Sequence, residues 1–104
     1  MRIIVLLNLK PGKDEADYLK WAKETDLPTV NSLASVKNFQ ILKAISLLGN
    51  DGQPPYQYIE ILDIANMPLF TEETRTNVMT KVAAEFNEWA TPTFIITEDL
   101  SDAS

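Results

Sequence analysis

Hydrophobic periodicity switches between that of strand and that of helix along this chain, and the order of the switches restricts the fold more than any other feature. Residues Arg2 to Leu9 form an almost continuous apolar run closed by Lys10-Pro11-Gly12. Such a run fits a strand covered on both faces. Periodicity alone does not exclude a helix, but Ile3, Ile4 and Val5 favour the strand. From Lys13 the spacing turns helical, with Tyr18, Trp21, Ala22 and Thr25 on one stripe and Lys and Glu between them. Pro28 is expected to stop or kink this helix near Asp26, after which Val30, Leu33 and Ala34 supply one further short turn. Val36, Phe39, Ile41, Lys43 and Ile45 then alternate with their neighbours as a strand. The segment "LLGNDGQPP" is rich in turn formers, and "YQYIEILDI" is a second strand, so the two strands are expected to pair as a hairpin. In "FTEETRTNVMTKVAAEFNEWA" the residues Val78, Met79, Val82, Ala83, Phe86, Trp89 and Ala90 form one helical stripe. Glu72 and Glu73 stand in its expected first turn, where the helix dipole favours acid. "TPTFIITE" closes as a strand, and the acidic tail 99–104 is expected to fray.

The resulting order, β-α-β-β-α-β, is the split βαβ or ferredoxin-like arrangement: α+β, one four-stranded antiparallel sheet with two helices on one face. That arrangement leaves the other face of the sheet bare. Both parities of the strands are apolar here, with Ile59 and Ile61 on one side and Tyr56, Tyr58 and Leu62 on the other. A bare apolar face of this kind calls for a cover, so a homodimer or a bound ligand is expected.

A length of 104 residues fits a single domain, 1–104, with one helical layer on one sheet. Nine basic residues against fifteen acidic ones leave a net charge of −6, and the basic ones are scattered, so no nucleic-acid partner is expected. The chain has no cysteine and no histidine. Disulfides, thiolate nucleophiles, histidine bases and the usual zinc and haem ligations are therefore unavailable, and no metal or cofactor is expected. Any chemistry falls to carboxylates, hydroxyls, amides, Lys, Tyr or Trp. The opening "MRIIVLLNLKPG" has too short an apolar run for a signal segment or a membrane span, so a cytoplasmic location is expected.

The stretch "WAKETDLPTVNSLASVKNF", with "YIEILDI" and "NVMTKVAAEFNEW", resembles the dimeric α+β-barrel superfamily. In that superfamily a tryptophan-bearing turn is followed by a leucine-proline pair, a short second turn and a strand that opens at a valine. Here those features are Trp21, Leu27-Pro28, Val30 to Leu33, and Val36. Many relatives carry a histidine two residues before the proline, where this chain has Asp26. Over nearly its whole length the chain resembles the RedY-like, HapK-type group of prodigiosin-type pigment biosynthesis. The resemblance implies a homodimer in secondary metabolism, of the antibiotic-biosynthesis kind. It would serve the tailoring or condensation of a small aromatic or pyrrolic intermediate, with other pathway enzymes as further partners.

Glu60, at the centre of "YQYIEILDI", is the candidate acid/base. Its parity, shared with Tyr56 and Tyr58, is expected to face a cavity between two sheets, with Ile59 and Ile61 beneath the helices, and aromatic surroundings there would raise its pKa toward neutrality. Its plain alternative is a solvent-facing glutamate, or one paired with Lys43. Asn8 and Gln40 are candidate orienting amides, Tyr58 a candidate hydroxyl, and Asp26 a candidate group at the cavity mouth; each has an ordinary capping or strand-finishing alternative. Trp21 and Trp89 are either packing residues or stacking surfaces for a flat ligand. Three functions stay open at this point: cofactor-free proton transfer in a condensation, cyclodehydration or isomerisation; non-catalytic carriage of an intermediate; and cofactor-free monooxygenation.

Overall fold

A computed structural model describes residues 1–101. Strand β1 (Arg2–Leu9) leads through a turn at Gly12, whose φ of 83° suits glycine, into α1 (Glu15–Trp21). Asp14 caps α1 by accepting from the Ala16 N–H. A π turn (Ala22–Asp26) and α2 (Leu27–Asn31) continue α1 without a break. Strand β2 (Val36–Lys43) and β3 (Tyr58–Ile64) follow, then α3 (Met67–Glu73), α4 (Asn77–Trp89) and β4 (Ala90–Ile96). The strands form one antiparallel sheet in the order β2-β3-β1-β4. This is the ferredoxin-like α+β arrangement expected from the sequence.

Two details differ from expectation. Pro28 does not end the first helix. A proline lacks an N–H and its ring clashes with the carbonyl four residues back, which an α-helix cannot absorb. The chain widens instead: the Leu27 N–H bonds the Ala22 carbonyl, an i→i−5 step immediately before the proline. Helical spacing therefore survives, and Tyr18, Ala22, Asp26 and Val30 all point inward. The second helical region is broken in two, because Thr74–Thr76 leave the helix and Thr76 accepts from the Met79 N–H to start α4 afresh.

The helices cover one face of the sheet. Ile3, Val5 and Leu7 of β1 pair with Leu62, Glu60 and Tyr58 of β3, and this whole set is buried against Tyr18, Ala22, Val30, Met79 and Phe86. The opposite face carries Ile4, Leu6, Ile59, Ile61, Leu42 and Ile95 in cross-strand contact. Among the described residues no helix covers it, and Leu42 and Ile95 are exposed. Among the described residues no helix is long and apolar enough to cross a membrane.

The expected parity of β3 is reversed. Tyr58, Glu60, Leu62 and Ile64 face the helices, while Ile59 and Ile61 face away. The reason is the number of apolar positions on each side: Leu62 and Ile64 extend the inward row beyond Glu60, and the core tolerates one acid among them. Of the tail 99–104, Asp99 is tied to Arg2 at 3.3 Å, so the expected fraying does not hold there; residues 102–104 lie outside the described residues.

Candidate functional site

Between the sheet and the helices lies a cavity of about 250 Å³. Its apolar wall includes Phe39 of β2, Leu62 of β3, Phe70 of α3, Met79, Val82 and Phe86 of α4, and Phe94 of β4. Two acids enter it from opposite layers: Glu60 from the middle of β3, and Asp26 from the π turn. The proline-imposed widening explains why the second acid is there. By keeping the chain helical through Asp26, the π turn places a carboxyl on the inward stripe, where a helix stopped at that point would have released it to solvent.

Both acids are strongly perturbed. Glu60 is 3% exposed and Asp26 5% exposed. Desolvation pushes Asp26 up to about 7. Desolvation and, secondarily, the Asp26 charge push Glu60 up to about 8. One oxygen of Glu60 is fully buried and has no hydrogen-bond partner among the described residues. Tyr18 is fully buried behind the pair, its hydroxyl likewise unpartnered, and its pKa is raised by burial and then by the charges of Glu60 and Asp26. Near neutral pH, Glu60 thus keeps its proton while Asp26 divides between its two forms. One group is an acid and the other is available as a base, from two residues of similar intrinsic strength.

The other expected site residues lie elsewhere. Tyr58 faces the helices but does not line the cavity; its hydroxyl donates to Glu15, and its ring packs on Tyr18 with centroids 5.1 Å apart. Lys43 also bonds Glu15, at 3.0 Å, so it is not a partner of Glu60. Trp21 stands one layer back, its indole N–H donating to Glu85 at 3.2 Å and its ring stacked at 6.2 Å on Phe86, a cavity-wall residue. Trp89 packs edge-on against Tyr18 with Lys13 over its ring. Asn8 and Gln40 do not line this cavity; both lie on the uncovered sheet face, the side on which a cavity between two sheets would form. Asn8 is exposed and ties down the β2–β3 loop through the Pro55 carbonyl and the Gln57 N–H. Gln40 is exposed on β2 and pairs with Ile61 on the uncovered face. The reversal of β3 therefore parts Glu60 from these two amides, which stay on the opposite face of the sheet.

Residues 1–100 match the family of the REDY-like protein HapK. The chain belongs to that family. The crystal structure of HapK from Hahella chejuensis superposes with a TM-score of 0.77 at 21% identity, covering 100% of this chain and 97% of that one. At3g17210 from Arabidopsis thaliana gives a TM-score of 0.72 at 15% identity, over 95% of this chain and 96% of the other. A dimeric protein of ferredoxin-like fold from Bacteroides fragilis gives 0.63 at 9% identity, over 90% of each chain. No curated protein sequence matches the chain. At these identities the superpositions establish the fold, and the family rests on the match over residues 1–100.

Within this HapK-family chain, Tyr18 and the phenylalanines around the cavity were not singled out by sequence as site residues. One signal was available for Asp26 on its wall: Tyr18, Ala22, Asp26 and Val30 recur every four residues, the spacing of a single helix face. Among the described residues no cluster of three or more Asp, Glu, His or Cys is placed to hold a metal ion.

Proposed function

We propose that this protein is a cofactor-independent acid–base catalyst of secondary metabolism. It acts on a small, flat, pyrrole-like intermediate of a prodigiosin-type pathway, in a condensation, cyclodehydration or isomerisation. The observation that carries the reading is the pair Glu60 and Asp26, both buried and both with raised pKa, facing one aromatic-lined cavity. In a cyclodehydration, the Asp26 carboxylate accepts a proton from the ring precursor as the Glu60 carboxyl protonates the departing hydroxyl. Water leaves, and the pair ends with its protons exchanged between the two sites. The cavity volume sits below the roughly 300–1,000 Å³ of ordinary ligand clefts, so the substrate is expected to be a one- or two-ring intermediate rather than a completed three-ring pigment.

The protein is proposed to work as a homodimer, closed by the uncovered apolar sheet face; the Bacteroides fragilis protein of the same fold is dimeric. A carrier without turnover is the second reading, favoured by the unpartnered Glu60 oxygen, which suits a hydrogen bond to a held ligand as well as a proton transfer. Glu60→Gln separates the two when conversion of the pathway intermediate is followed against its spontaneous background. A catalyst loses about 10²-fold or more in rate while still binding. Full conversion by the Gln variant would sink the acid/base reading.

A further inference from the structure

We infer that the cavity between sheet and helices takes a small flat nitrogen heterocycle, one that presents N–H groups to Glu60 and Asp26 and is positively charged once bound, and that it rejects carboxylates of the same size. The inference rests on reading the cavity as the ligand site, as proposed above.

Among the described residues the polar ones on the cavity wall are Asp26, Glu60 and Thr74, and no Lys, Arg, Asn or Gln of them lines it. An ionised carboxylate only accepts hydrogen bonds, and a protonated one has a single hydrogen to give. The fully buried, unpartnered Glu60 oxygen therefore lacks a donor, and the protein supplies none. A ligand N–H fills that vacancy. A ligand carboxylate would bring a further negative charge beside two acids, in an apolar enclosure with no cation to meet it.

Charge balance favours a base over a merely neutral donor. When a neutral ring nitrogen enters, the Glu60 O–H bond breaks and an N–H bond forms on the nitrogen lone pair, leaving a carboxylate against a cation. The total charge of the cavity is unchanged, and each new ion has its partner in contact, the condition under which a buried pair is tolerated. Phe39, Phe70, Phe86 and Phe94 add aromatic surface, which suits both a flat ring and a cation.

Titration calorimetry of the full chain at neutral pH tests this with three bicyclic probes of similar size: 2-aminobenzimidazole, a base with a planar N–H fork; indole, a neutral donor; and indole-2-carboxylate. The base is expected to bind at least about tenfold tighter than the carboxylate. Glu60→Gln and Asp26→Asn, made separately and checked by thermal melting, are each expected to weaken the base by about tenfold while leaving indole within about threefold, since an amide carbonyl still accepts one N–H. The wild-type ranking is itself decisive should either variant fail to fold. Equal binding of carboxylate and base, unchanged affinity for the base in the folded variants, or no binding of any probe at about 1 mM overturns the inference. The two readings fail separately: base-selective binding with full turnover by Glu60→Gln removes the catalytic reading and keeps the ligand class, whereas carboxylate binding with lost turnover does the reverse.

Discussion

Asp26 and Glu60 face one cavity from opposite layers of the fold, the first from a π turn under the helices and the second from a central strand. One Glu60 oxygen has no hydrogen-bond partner among the described residues, and burial holds both carboxyls above the ordinary carboxylate range. In this chain the same burial that makes the pair chemically useful makes it a liability to stability.

That liability has a sign. Both acids bind their protons more tightly folded than unfolded, so the unfolded state sheds protons first as pH rises from the unperturbed values of 3.8 and 4.5 toward about 7 and about 8. Stability is greatest below that window and falls through it, at up to about 1.4 kcal/mol per pH unit for each group. The surface acids Glu15 and Glu73, whose pKa values are lowered by hydrogen bonds from Tyr58 and Ser35 respectively, act in the opposite direction at lower pH. Thermal melts are expected to show a midpoint that drops between about pH 4 and pH 8, with a shallower drop in Glu60→Gln. A midpoint flat across that range in the wild type would show that neither acid is desolvated.

Asn31 joins the end of α2 to β2, and so holds the π turn over the sheet. Its amide donates to the Leu27 carbonyl at 2.9 Å and the Phe39 carbonyl at 3.1 Å, and its oxygen accepts from the Phe39 N–H at 2.9 Å. Asn31→Ala is expected to cost about 2–3 kcal/mol, because it strips a partner from the Phe39 N–H and C=O together. Urea unfolding measures it; a loss under about 0.5 kcal/mol would show that water replaces the amide.

The uncovered sheet face centres on Leu6, which lies between Ile59 and Thr93 on the neighbouring strands. Leu6→Lys puts a charge in the middle of the proposed dimer interface. Light scattering is expected to give twice 11.7 kDa for the wild type and 11.7 kDa for the variant. A wild-type monomer at micromolar concentration would remove the dimer.

Trp89 is half-buried against Tyr18 at the end of α4. Trp89→Ala is expected to destabilise by about 3 kcal/mol, the low end for a large aromatic because part of the ring is already in water. An unchanged melting temperature would place its packing outside the cooperative core.

The order of strands and helices was legible in local pattern, because each element's periodicity is set by its own backbone geometry and bounded by turn formers such as Pro11-Gly12 and "GNDG". The absence of Cys and His likewise restricted the available ligands and bases from composition alone. Glu60 stood out as an acid inside an apolar strand. Which face it occupied did not, since β3 is apolar on both parities and strand periodicity carries a sign only when one face is polar. Tertiary packing supplied that sign, by laying the helices over the row that holds Tyr58, Leu62 and Ile64. The partnership of Glu60 with Asp26 was a tertiary decision for a related reason. Pro28 reads as a stop or a kink because an α-helix cannot pass it unaltered; the buried Tyr18, Ala22 and Val30 favour keeping the chain helical, and a one-residue widening near Asp26 reconciles the two. Local chemistry thus determined that two acids existed and in which elements. Only the packing of helix on sheet, which desolvates both from one cavity, decided that they face each other's site.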